Sequence, residues 1–161
     1  MISTIGKMRA AALALALSFA APAMTQVVGS DGWMRATPPG AGTAAGYLVL
    51  TNTGSEEAKL LKIVSPVSDR TMIHRDSLDS EGVLRMWPLN FLKIPPGETV
   101  RFEPNGLHVT FMDLKAPFVA GQKIPLQLTF EGQPEITVML EVRSPVPDAA
   151  MDHSTMRKDQ H

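Results

Sequence analysis

The sequence predicts an all-β domain, built as a sandwich or a Greek-key barrel of about nine short strands. Segments that alternate apolar and polar residues recur at short intervals, 12 glycines and 13 prolines separate them, and no stretch predicts a helix. A hydrophobic fraction of 44% with 19% charged residues is ordinary for a globular core. The 161 residues are enough for one domain and hardly enough for two.

The strands are predicted from the alternation of apolar and polar residues and from β-rich composition. The alternation is clearest near the end of the chain. Ile124, Leu126 and Leu128 share one face there, and Ile136, Val138 and Leu140 repeat the pattern. Proline and glycine supply the reversals, at Pro38-Pro39-Gly40, Pro95-Pro96-Gly97 and Pro104-Asn105-Gly106. The strands are predicted at Gly32–Arg35, Ala45–Thr51, Ala58–Ser65, Thr71–Arg75, Gly82–Trp87, Thr99–Phe102, Gly106–Leu114, Lys123–Phe130 and Glu135–Val142.

The first 23 residues have the pattern of a secretory signal peptide. Lys7 and Arg9 precede an apolar run that leads to Ala21-Pro22-Ala23, and we expect cleavage before Met24. A membrane anchor is the alternative, but the run has about a dozen residues where a spanning helix needs about 20. Because the sequence has no cysteine to carry a lipid, we expect a soluble periplasmic protein without a membrane anchor after cleavage.

Charge and cysteine content exclude several classes of function. Lys and Arg number 15 against 16 Asp and Glu, so no basic surface is available for nucleic acid. The lack of cysteine excludes disulfides, thiolate metal sites and cysteine nucleophiles. No nucleophile elbow, phosphate loop or spaced carboxylate pair suggests an enzyme. Ten methionines leave thioether as the one sulfur ligand, a donor that suits Cu(I).

Two histidines of the predicted domain each have a methionine on the same strand face. In Gly106–Leu114, alternation turns Leu107 and its partners toward the core and His108, Thr110 and Met112 away from it. In the strand around His74, Met72 is likewise two residues away. Imidazole and thioether together are a plausible Cu(I) set, but these methionines could equally fill gaps in a core.

The end of the chain, residues 148–161, is predicted to be a disordered polar tail after the domain at 24–147. It contains two methionines and two histidines without a core to fill. Such a segment is typical of a flexible arm that captures metal, including Cu(II), although a random polar tail could contain the same residues. The candidate ligands are Met151, His153, Met156 and His161.

The chain resembles the PCu(A)C family of periplasmic copper chaperones from about Gly32 to Val142. The resemblance implies a cupredoxin-like Greek-key β-barrel, Cu(I) as cargo, and delivery to copper-accepting proteins of cytochrome c oxidase assembly or general periplasmic copper handling. It rests on Trp33-Met-Arg-Ala-Thr-Pro-Pro-Gly40, Ala44-Ala-Gly-Tyr-Leu48, Leu50-Thr-Asn-Thr-Gly54, His74, Arg85-Met86, Ile94-Pro-Pro-Gly97 and Gly106-Leu-His108.

The family's copper motif, His-x10-Met-x21-His-x-Met, is matched in part. His74 and Met86 correspond to its first two ligands with one extra residue between them, and His108 keeps the second spacing. The final methionine is replaced by Thr110, whose hydroxyl is a poor Cu(I) ligand. The fourth donor is left open among Met112, Met72 and the tail.

These observations predict a monomeric, non-enzymatic Cu(I) chaperone that passes its metal on by ligand exchange. The competing hypothesis is an interaction or scaffold domain that kept the barrel and lost the full ligand set, as Thr110 would suggest. From sequence alone, restoring a thioether with Thr110→Met is expected to tighten Cu(I) binding about tenfold, or roughly 1.4 kcal/mol.

Overall fold

The computed structural model describes residues 26–144, and every regular element in this part of the chain is a β-strand. The signal peptide predicted at 1–23 and the tail predicted at 148–161 lie outside the described residues. Within the described residues, no helix has the length and apolar character needed to cross a membrane. The all-β prediction is confirmed.

Ten strands are present, and each of the nine predicted strands corresponds to one of them. The bounds differ by a few residues at most strand ends, and the segment Lys123–Phe130 is unchanged. The strands are β1 (Val27–Arg35), β2 (Thr43–Asn52), β3 (Ala58–Val64), β4 (Ser68–Leu78), β5 (Leu84–Leu89), β6 (Leu92–Ile94), β7 (Thr99–Arg101), β8 (Leu107–Leu114), β9 (Lys123–Phe130) and β10 (Ile136–Arg143).

Two stretches of strand were not predicted, because their sequences lack a continuous alternation of apolar and polar residues. The first half of β1 contains Gly29 and Asp31, and its register with β2 shifts between Ser30 and Trp33. Asp31 has a φ of 50°, so the strand is irregular where the pattern breaks. Strand β6 has only three residues, too few for a period of two to be recognised.

The strands form one mixed sheet in the order β5-β4-β8-β2-β1-β10-β9-β3-β6, with β7 paired to β2. Most neighbours are antiparallel, and β1 with β10 is a parallel pair. The sheet folds over so that β3 and β4 approach each other, and the Thr71 hydroxyl donates a hydrogen bond to the Ile63 carbonyl. This topology makes β4 and β8 direct neighbours, although a long stretch of sequence separates them.

The inner faces of the strands make one hydrophobic core. On β8, Leu107, Val109 and Phe111 are buried as the alternation predicted. Opposite them on β2, Gly46 leaves room for the Phe111 ring, because a Cβ there would lie 2.8 Å from Cε2 of that ring. Because these residues turn one face of β8 toward the core, the opposite face of β8 presents His108 and Thr110.

The predicted reversals are present, and one uses a different residue from the expected one. Gly40 and Gly97 adopt φ of 80° and 73°, as a left-handed turn position requires. In the turn before β8, Asn105 takes the positive φ of 63°. Asparagine tolerates this conformation better than most residues. The sequence can therefore form this turn, which directly precedes the strand that contains His108.

Candidate metal centre

Two histidines lie directly opposite each other on neighbouring strands. The antiparallel register of β4 and β8 pairs His74 with His108. Their ring centroids are 5.9 Å apart, and the ring planes are inclined by 30°. Opposite residues of an antiparallel pair share one face of the sheet, so the two imidazoles are close enough to serve one ion.

The histidine pair is on the outer face of the sheet and is nevertheless shielded. The exposed fractions are 8% for His74 and 5% for His108. Tyr47 on β2, Met86 on β5 and the turn before β8 line a cavity together with His108. Facing away from the core therefore does not leave these rings in open solvent, because side chains from neighbouring strands cover them.

Hydrogen bonds to Nδ1 orient both rings. The Nδ1 atom of His108 lies 3.1 Å from the Gly106 carbonyl oxygen, which can only accept, so Nδ1 carries the proton. The Nδ1 atom of His74 lies 2.7 Å from the Thr110 hydroxyl oxygen. When Nδ1 of His74 donates to that oxygen, Nε2 keeps its lone pair. Both rings can then offer Nε2 to a metal, as ligand histidines with such partners do.

The environment keeps His74 in the neutral form that binds metals. Burial lowers the pKa of His74 below its ordinary value, the nearby His108 lowers it further, and the Asp76 carboxylate offsets part of this. Near neutral pH the ring therefore needs no deprotonation before it can donate to an ion.

Met86 reaches the same site from the edge strand. Register pairs it with Asp76, and both residues line the cavity of about 480 Å³ that contains His108. The Met86 side chain is 54% exposed, whereas the two histidines are buried. Among residues 26–144, no three His, Asp or Glu side chains are placed to hold a metal together. Within this part of the chain, Met86 is the thioether that lines the cavity of His108, and its role as a ligand stays a prediction.

The remaining predicted ligands lie at different distances along the same face. Met72 is paired with Thr110, which is the next pair on the same face of the sheet after the histidine pair. Met112 is paired with Arg70, the second pair along that face, and four residues of strand place it about 13 Å from His108. Their roles stay predictions, with Met72 nearer to the pair than Met112. Met151, His153, Met156 and His161 lie outside the described residues.

Several cavity residues were not predicted from the sequence, and among them are the three with charged or phenolic side chains: Asp76, Tyr47 and Arg35. Asp76 could have been found, because it is two residues from His74 and shares its face. Its Oδ2 lies 3.6 Å from Nδ1 of His108. Tyr47 and Arg35 belong to β2 and β1, and strand pairing alone brings them here.

The Tyr47 phenol is electrostatically linked to both charged cavity residues. Burial raises the pKa of Tyr47, the Arg35 guanidinium opposes this rise, and the Asp76 carboxylate adds to it. The Tyr47 ring also contacts Trp33, with centroids 4.5 Å apart and the ring planes inclined by 37°. Its surroundings therefore favour the neutral hydroxyl.

Solved structures with the same fold are PCuAC domains. The copper-bound PCuAC domain from PmoF2 has a TM-score of 0.63 and 22% identity, covering 74% of this chain and 94% of that domain. CuI-DR1885 from Deinococcus radiodurans has a TM-score of 0.58 and 24% identity, covering 78% of this chain and 83% of that protein. The cupredoxin-like fold expected from the sequence is thereby confirmed.

The sequence comparisons identify the family of this chain. The "Putative lipoprotein Lxx21020" of Leifsonia xyli subsp. xyli is 32% identical over 101 residues, or 63% of this chain. The aligned part of the chain spans 60% of that relative's length. Residues 27–142 match the family described as "Putative lipoprotein LpqE-like", a match that begins with β1 and ends one residue before the end of β10. Because this match covers well over half of the sequence, the chain belongs to the LpqE-like family.

Proposed function

We propose that the protein is a non-enzymatic copper chaperone that holds Cu(I) through His74, His108 and Met86. The observation that carries the proposal is the cross-strand histidine pair with a thioether in the cavity of His108. Neutral imidazole and thioether suit soft monovalent copper better than hard divalent ions. The PmoF2 domain is copper-bound and DR1885 carries CuI, which supports the same cargo here.

The difference in exposure between the ligands supports transfer of the metal to a partner. Met86 is 54% exposed while both histidines are buried, so an acceptor can displace the thioether first. The imidazoles then release the ion by ligand exchange. In this proposal a monomer delivers copper to acceptors of cytochrome c oxidase assembly, or handles periplasmic copper more broadly.

Export is part of the proposal. The sequence of residues 1–23 has the pattern of a signal peptide, and the family and its curated relative are named as lipoproteins. The 161 residues contain no cysteine, so they offer no thiol for a thioether-linked lipid. We therefore place the protein in the periplasm in soluble form.

A scaffold domain that has lost metal binding is the second candidate, and Thr110 favours it because a hydroxyl stands where the family motif has a methionine. A Cu(I) titration under reducing conditions separates the two. The chaperone binds at least one equivalent in competition with a chromogenic Cu(I) chelator, whereas the scaffold leaves all copper with the chelator.

Met86→Leu should weaken Cu(I) binding about tenfold, because it removes the sulfur and keeps a similar volume. The matched control is Met139→Leu on β10, a methionine of comparable exposure at 46% outside the site. Chelator competition gives both affinities. Equal affinities for the two variants would contradict the role of Met86.

Truncation after Pro147 should leave the unfolding temperature within about 2 °C, because it keeps all ten strands of the described residues, the last of which ends at Arg143. The same truncation should reduce the number or affinity of bound copper ions, since it removes Met151, His153, Met156 and His161. Calorimetry and copper titration check the two parts. Unchanged copper binding would show that the tail captures no metal.

A further inference from the structure

A cavity of about 480 Å³ with charges of both signs opens beside the candidate copper ligands. The Arg35 guanidinium, the Asp76 carboxylate, the Tyr47 hydroxyl and Asn105 line it, and Met86 and His108 form part of its wall. Copper binding alone uses only the last two residues. The polar groups are therefore available to a second, organic ligand that touches the metal.

Among residues 26–144, no ion pair involves the Arg35 guanidinium. In the same part of the chain, the Asp76 carboxylate is paired with the His108 ring alone, at 3.6 Å, although the Asp76 side chain is just 15% exposed. A shielded carboxylate is costly unless it meets a positive charge or hydrogen-bond donors. The cavity thus offers a cationic group and an anionic group to one small molecule.

An α-amino acid carries charges complementary to both groups. Its carboxylate would lie toward Arg35 and its ammonium toward Asp76. Arginine binds a carboxylate through two parallel hydrogen bonds. The volume is ample for a molecule of that size. The side chain of such a ligand would point toward the wall that contains His108 and Met86.

The sulfur donor that Thr110 does not provide indicates which side chain the amino-acid ligand would have. Thr110 occupies the place of a thioether in the motif, the chain has no cysteine, and among the described residues Met86 supplies the one sulfur that lines this cavity. Thiolate is the softest common ligand for Cu(I). We propose that this cavity binds a small amino-acid thiol of the cysteine type, whose sulfur completes the coordination of Cu(I); this rests on the proposed function.

The binding step changes no oxidation state. The thiol S–H bond breaks, the proton goes to solvent, and the thiolate sulfur donates an electron pair to Cu(I). The product is a ternary complex of protein, copper and thiol. A recipient protein then displaces the small thiolate and Met86 before it reaches the buried imidazoles.

Two thiol probes test the recognition of the carboxylate. Cysteine has the thiol, the ammonium and the carboxylate, and cysteamine lacks only the carboxylate. Full-length protein carrying one Cu(I) is titrated anaerobically with each probe, and native mass spectrometry counts the ternary complex. The variants are Arg35→Gln and the control Arg101→Gln, an exposed arginine of β7 outside the cavity.

In the wild type, cysteine should bind at least about tenfold more tightly than cysteamine. This preference should nearly vanish in Arg35→Gln and persist in Arg101→Gln, while both variants still bind Cu(I) alone. Copper retention without a ternary complex, stripping of copper by cysteine, or an unchanged preference in Arg35→Gln overturns the thiol site alone. A wild type that binds no Cu(I) overturns the proposed function as well.

Discussion

Replacing His108 with alanine should weaken Cu(I) binding by a factor of about a hundred or more, roughly 2.8 kcal/mol. The variant removes one of two imidazoles that face each other with centroids 5.9 Å apart. His74→Ala should have a similar effect. The double variant should be little worse than either single one, because the two rings act on one ion and their effects are not additive.

Folding must be separated from metal binding, because both histidines are buried. His108→Gln keeps polarity and much of the volume, and its thermal unfolding shows whether the sheet survives. In the wild type, ¹⁵N NMR should show that Cu(I) shifts Nε2 of His108, since Nδ1 donates to the Gly106 carbonyl. An unchanged affinity in a folded His108 variant, or a response at Nδ1 instead, would contradict the assigned site.

The fold was largely predictable because alternation marks a half-buried strand directly. Strand β9 alternates without interruption, and the prediction matches its bounds. Strand β6 and the first half of β1 are stabilised by pairing with neighbours, and nothing in their local sequence marks them. The order of strands in the sheet depends on long-range pairing, which periodicity alone does not encode.

The sequence predicts the histidines and methionines of the candidate site, and it does not predict their surroundings. Alternation placed His108 and Thr110 on one face, and the hydrogen bond between Thr110 and His74 confirms that face. The direct opposition of His74 and His108 depends on the register of β4 with β8. Arg35 and Tyr47 reach the cavity from β1 and β2, so only the assembled sheet reveals them.

The structure changes the role expected of Thr110. From sequence it is a missing ligand, but its hydroxyl oxygen lies 2.7 Å from Nδ1 of His74. Groups that hold the far nitrogen of a ligand histidine commonly affect metal affinity by 10–100-fold. Thr110→Val keeps the shape and removes the hydroxyl, so it should weaken Cu(I) binding by about thirtyfold.

Thr110→Met combines that loss with the gain of a sulfur donor. Compared with Thr110→Val, it should bind Cu(I) about tenfold or more tightly, roughly 1.4 kcal/mol, because the longer methionine side chain can extend past the His74 ring and bring a thioether to the ion. Compared with the wild type, the two effects largely cancel, whereas the sequence alone led us to expect a net gain. X-ray absorption should show one additional copper–sulfur contact in Thr110→Met.

The matched control for the hydroxyl is Thr129→Val on β9, a half-buried threonine whose Oγ1 donates to Glu135 at 3.3 Å, away from the site. It should leave Cu(I) affinity unchanged. If Thr110→Val also binds Cu(I) as the wild type does, the hydroxyl does not position His74 for the metal. If Thr110→Met gains no sulfur contact over Thr110→Val, residue 110 does not reach the ion, and we then expect the fourth donor to be Met112, Met72, the tail or a bound thiol.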